Sequence, residues 1–98
     1  MPKQPPEIPT FEWAVAHAQE YLRGELTVRE FAYPLSELVG YYKKLYADVR
    51  GWPDDDVYEF VAVGWGTAGS VLRGTKNESD LVALLEELLP GLQSHLSP

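Results

Sequence analysis

Two sets of residues in this sequence have types and spacings that could do chemistry. Residues 64 to 69, Gly-Trp-Gly-Thr-Ala-Gly, match the G-x-G-x-x-G pattern, in which glycines permit a tight turn and let backbone amides approach a pyrophosphate. Such a loop needs a strand before it and a full helix after it. Gly74 arrives five residues after Gly69 and the apolar run beyond it has helical spacing, so the pattern reads as glycines placed for helix packing, and no cofactor is expected. The second set is nucleophiles and bases. His17 and His95 are the only imidazoles, and neither stands at a spacing that pairs it as a base with Ser36, Ser70, Ser79, Ser94 or Ser97. With no cysteine there is no thiolate, no disulfide and no Cys-ligated zinc. Nothing in the sequence supports an enzyme.

The densest run of charge is Asp54, Asp55 and Asp56, with Trp52 just before it and Glu59 just after. Asp55-Asp56-Val57-Tyr58-Glu59 resembles the aspartate-rich box of prenyl-transferring enzymes, where carboxylates one helical turn apart hold Mg²⁺ against a diphosphate. Those enzymes are much longer and bring a second acidic motif from a facing helix. Here the only other adjacent acidic pair is Glu86 and Glu87, so no metal is expected. Two plainer roles remain: capping of the helix that follows, and recognition of a basic protein, for which an aromatic supplies area and carboxylates supply steering. The expected protein-binding residues are Asp54, Asp55, Asp56, Glu59 and Trp52. Trp13 and Tyr41, both off the apolar faces of their helices, either extend such a patch or finish the edges of a small core.

The chain has 98 residues, with 15 Asp plus Glu against 8 Lys plus Arg and a net charge of −7. That length supports one core and no second domain. An isoelectric point near 4.6 opposes the cationic surface that nucleic-acid binding requires, so the expected partner is a basic protein rather than a nucleic acid. No apolar run approaches the roughly 18 residues that cross a bilayer, and the opening MPKQPPEIPT lacks the apolar centre of a signal peptide. A cytoplasmic protein with no membrane contact is expected.

The elements that must position these residues are helical. Pro2, Pro5, Pro6 and Pro9 make residues 1–9 an extended lead-in, and the single helical domain is expected over 10–98. Thr10 caps a first helix whose Phe11, Ala14, Val15, Ala18, Tyr21 and Leu22 share a face ending at Gly24, with Trp13, His17 and Glu20 on the other side. Thr27-Val28-Arg29-Glu30 is a capping box, and Leu26 with Phe31 forms a hydrophobic staple. Pro34 is expected to interrupt the helix so begun, with Leu35, Leu38, Val39, Tyr42, Leu45, Tyr46 and Val49 continuing the apolar spacing up to Gly51, Trp52 and Pro53. Val57 to Val63 would suit a strand, but Val57, Phe60, Val61, Gly64, Ala68, Val71 and Leu72 form one helical stripe, which predicts a helix. Its other face is nearly uncharged and carries Ala62, Gly66, Gly69 and Ser70. Asn77, Glu78, Ser79 and Asp80 open a last helix, with Leu81, Leu84, Leu85, Leu88 and Leu89 inward, which Pro90 and Gly91 are expected to break before one further turn around Leu92 and Leu96. No internal repeat is apparent. The expected fold is an all-α four-helix bundle.

The string YLRGELTVREFAYPL, from Tyr21 to Leu35, resembles the opening of the self-protective colicin-like (colicin D) immunity family, in which an apolar pair closes the first helix, a short turn follows and an Ile/Leu-Thr-x-x-Glu-Phe box opens the second, here Tyr21 and Leu22, then Leu26, Thr27, Glu30 and Phe31. Lys43-Lys44-Leu45-Tyr46 is similar to the end of that family's second helix. The likeness covers about a third of the chain; Pro34, the glycine-rich third helix and the segment after Asn77 depart from it. It implies a small acidic helical protein that neutralises a nuclease toxin by covering its basic cleft, and carries over no toxin-contacting residue. The leading expectation is therefore an immunity or inhibitor protein for a basic partner. The alternatives are a phage or bacterial adaptor that binds a nucleic-acid-handling protein, and a structural homodimer formed through the glycine-rich helix.

Overall fold

The computed structural model describes residues 10–45 and 56–96, which form four helices: α1 (Phe11–Leu22), α2 (Val28–Leu45), α3 (Asp56–Leu72) and α4 (Glu78–Ser94). The expected lead-in over 1–9 and the turn at Gly51 and Pro53 lie outside the described residues. The helices make an all-α bundle in which α2 packs on α3, α3 on α4, and α4 on α1.

Helix starts follow the local chemistry. The Trp13 amide donates to Thr10 Oγ1 at 3.1 Å. At α2 the capping box closes in both directions: the Glu30 amide donates to Thr27 Oγ1 (3.1 Å) and the Thr27 amide to Glu30 Oε1 (3.0 Å), so two amides that the helix leaves unpaired find acceptors. Asn77 caps α4, its own amide donating to Asp80 Oδ2 at 3.0 Å.

Both prolines expected to interrupt helices lie inside continuous ones, Pro34 in α2 and Pro90 in α4. Interior proline costs about 3 kcal/mol, and burial offsets it here. The Pro34 ring is fully buried, and the turn beyond Pro90 carries Leu92, also fully buried, into the core. Periodicity is corrected at His17, which is buried rather than outward, and at Leu72, which is exposed rather than part of the inward stripe.

The structure also overturns the reading that the chain has no repeat. Residues 22–24 and 72–74 are both Leu-Arg-Gly, and a shift of 50 residues carries the first hairpin onto the second. Gly24 and Gly74 have φ of +80° and +81°, the left-handed region that side chains with a Cβ avoid. Around them the same two Schellman bonds recur: Glu25 N–H to Glu20 O and Gly24 N–H to Tyr21 O in the first hairpin, Thr75 N–H to Ser70 O and Gly74 N–H to Val71 O in the second. The shift also matches Ala14 with Gly64, His17 with Thr67, Ala18 with Ala68, Phe31 with Leu81 and Leu35 with Leu85, all buried. The bundle is therefore two like hairpins packed on each other, with α2 on α3 and α1 on α4 as the equivalent contacts between them.

Candidate functional site

Of the five residues expected to bind a partner, the structure describes two. Trp52, Asp54 and Asp55 lie outside the described residues. Asp56 is the first residue of α3, and its Oδ2 lies 2.8 Å from His95 Nε2. The His95 ring stacks on Phe11, with centroids 4.0 Å apart and planes at 17°, so Asp56 joins the start of α3 to the end of α4 and the start of α1. Asp56 is thus engaged within the fold, whereas Glu59, the next acid along α3, is exposed.

The glycine motif and the nucleophiles have equally definite places. Residues 64–69 lie wholly within α3, so their amides serve the helix and form no phosphate-binding loop. Ser36, Ser70 and Ser94 each donate to a carbonyl of their own helix, on Tyr33 (2.7 Å), Gly66 (3.1 Å) and Gly91 (2.7 Å) respectively. His17 is a core residue: its Nε2 lies 2.9 Å from the Phe31 carbonyl, which can only accept, so this nitrogen carries the proton. Its ring is sandwiched between Trp13 (5.0 Å, 13°) and Phe31 (4.9 Å, 14°). Trp13 also meets Phe60 edge-on, so it finishes an edge of the core. The side chain of Tyr41 lies outside the described residues. No group of three or more His, Cys, Asp or Glu that could hold a metal is present among the described residues.

Sequence reasoning missed which two cation-free helices the fold packs together. Helices α1 and α4 run antiparallel, joined at one end by the Phe11–His95 stack and at the other by the Tyr21 hydroxyl, which donates to Glu78 Oε1 at 3.2 Å. Burial and the nearby carboxylate push the Tyr21 phenol up to about 12. From Thr10 to Leu22 and from Asn77 to Leu96 the chain has Glu12, Glu20, Glu78, Asp80, Glu86 and Glu87 and no Lys or Arg. Asp80 and Glu87, two turns apart, share the outward side of α4 opposite Leu81, Leu85 and Leu92, and Glu86 stands beside them. Among the described residues the basic ones lie on α2 and in the turns: Arg23, Arg29, Lys43, Lys44, Arg73 and Lys76. The signal in the sequence was the absence of any cation from two segments that only the fold makes neighbours.

No helix among the described residues is long and apolar enough to cross a membrane. Comparison with known proteins finds no match: no family model fits the chain, and no curated protein or solved structure matches it significantly.

Proposed function

We propose that the chain is a non-enzymatic inhibitor of immunity type, acting in the cytoplasm, that binds a basic protein such as a nuclease toxin and occludes its cationic cleft. The observation that carries this reading is the pairing of α1 with α4, two packed helices with six carboxylates and no Lys or Arg between them. Such a surface raises the encounter rate with a cationic partner and repels nucleic acid, which would otherwise compete for the same cleft. Asp54, Asp55, Glu59 and Trp52 form a second contact in this proposal, with Asp56 holding the start of α3 in place through His95.

The test is capture of partners from the source cell on the immobilised chain, in parallel with two variants: Asp80→Asn/Glu86→Gln/Glu87→Gln and Asp54→Asn/Asp55→Asn. The expected result is a basic nuclease retained at low salt, released as salt rises past the range where the screening length falls to about 10 Å, and lost or weakened about tenfold or more with the α4 variant. Retention that is indifferent to both variants and to salt overturns the reading.

A further inference from the structure

Helix α3 has two faces suited to packing. Its inward face buries Val57, Phe60, Val61, Gly64, Thr67 and Ala68. Yet of the four large apolar side chains exposed among the described residues, three are also on α3: Val63 (41%), Trp65 (41%) and Leu72 (46%). Between Val63 and Trp65 around the helix runs a shallow floor of Ala62, Gly66 and Gly69. A Cβ built on Gly66 meets nothing within 4 Å, so the floor is open there, while at Gly69 the Arg73 guanidinium covers it. The polar atoms on the face have partners: Ser70 donates to the Gly66 carbonyl, and the Arg73 guanidinium folds back over Gly69 to reach Ser70 Oγ at 3.4 Å.

The charges identify the occupant. Between Val57 and Arg73 the only charged residues are Glu59 and Arg73, seven residues before and seven after Gly66. At 1.5 Å per residue they stand about 10 Å on either side of it, and both lie on the outward face. A two-fold axis at Gly66 running perpendicular to the helix therefore sets Glu59 of each copy against the partner's Arg73, and Trp65 of each copy beside the partner's open floor. A parallel pairing would instead oppose like charges. We propose that two copies of this chain associate through the outward faces of α3, antiparallel about Gly66, in a closed isologous dimer. The surface is separate from the α1–α4 acids that carry the inhibitor reading and shares only Glu59 with its second contact, so failure of the dimer and failure of the α4 variant to weaken capture are distinguishable, and the dimer would present the α1–α4 acids twice.

Sedimentation velocity on the full chain over a wide concentration range tests it. The wild type is expected to shift from monomer to dimer as concentration rises. Glu59→Arg and Arg73→Glu each place like charges in apposition, and each is expected to weaken the dimer about tenfold or more. Mixed in equal amounts, these two variants restore complementarity at both ends, and the mixture is expected to dimerise where neither variant alone does. Gly66→Leu fills the floor from an outward position where a Cβ meets nothing within 4 Å, so it is expected to keep the monomer's circular dichroism and abolish the dimer. A wild type that stays monomeric at every concentration overturns the proposal, as does a dimer that survives all three substitutions or a mixture that fails to pair.

Discussion

Between Leu22 and Glu30, and again between Leu72 and Asp80, the chain turns from one helix into the next by the same means: a left-handed glycine, two Schellman bonds and an acid three residues past the cap. What fills the two hairpins differs. In the first, Trp13, His17, Tyr21 and Phe31 form a continuous aromatic stack; at the matching positions the second has Val63, Thr67, Val71 and Leu81. Helices α3 and α4 pack more closely along their length than α1 and α2, between which the His17 and Phe31 rings lie. The turn fixes the path of the chain, and the filling sets the helix separation. A hairpin can therefore exchange aromatic for aliphatic packing without losing its topology.

The largest expected effect breaks this comparison at its centre. Phe31 stacks with His17 and meets Tyr21 within its own hairpin and Phe60 across the bundle, whereas the equivalent place in the second hairpin holds the aliphatic Leu81. Phe31→Ala should cost about 3–5 kcal/mol and Leu81→Ala about 2–3 kcal/mol, read as the shift in urea unfolding. Equal losses would mean that the stack adds nothing beyond the volume it fills.

The joints give the next largest effect and should behave alike. A Cβ on Gly24 or Gly74 meets nothing within 4 Å, so Gly24→Ala and Gly74→Ala isolate the backbone term, about 1–2 kcal/mol of destabilisation each. Gly66→Ala provides the opposite sign. Its φ is ordinary, its surroundings are open, and the first hairpin already has Ala16 at that position, so alanine should stabilise the monomer by about 1 kcal/mol. If Gly24→Ala and Gly74→Ala differ widely in thermal unfolding, the two turns are not the same device.

These particulars show which parts of the fold were legible in the sequence. Caps and left-handed glycines work over three or four residues, so Thr10, Thr27 with Glu30, Asn77, Gly24 and Gly74 announced every described helix end they govern. Pro34 and Pro90 did not break their helices, because burial of the Pro34 ring and of Leu92 is a tertiary gain that no local rule contains. His17 stands three residues after Ala14 and four before Tyr21, the spacing of a core position. Its polarity hid that, and only the Phe31 carbonyl, 14 residues away, explains how the imidazole is satisfied. The repeat was hidden because it resides in turn chemistry and burial, with few shared side chains beyond Leu-Arg-Gly. The candidate site was least legible, since carboxylates that solvate a helix and carboxylates that meet a partner are the same residue type, and α1 and α4 become neighbours only in the fold.

The smallest expected effect tests the one bond by which the hairpins differ most in polarity. Tyr21 on α1 donates to Glu78 on α4, while its counterpart Val71 has no such group. Losing the bond in Tyr21→Phe should cost about 1 kcal/mol at neutral pH. Its pH signature separates it from a packing loss. In the folded chain the phenol ionises near 12, against about 10 when unfolded. Between those values the unfolded chain releases a proton that the folded chain keeps, so this group's contribution is complete below pH 10 and declines as pH rises toward 12. Glu30 acts at the other end of the scale. Its bonds to Thr27 hold its carboxyl below the ordinary range, so its contribution is complete above that range and fades as acid protonates it in the folded state. Unfolding measured against pH should therefore lose its alkaline decline in Tyr21→Phe and part of its acid decline in Glu30→Gln. An alkaline limb unchanged by Tyr21→Phe would show that the hairpins are held together by their apolar faces alone.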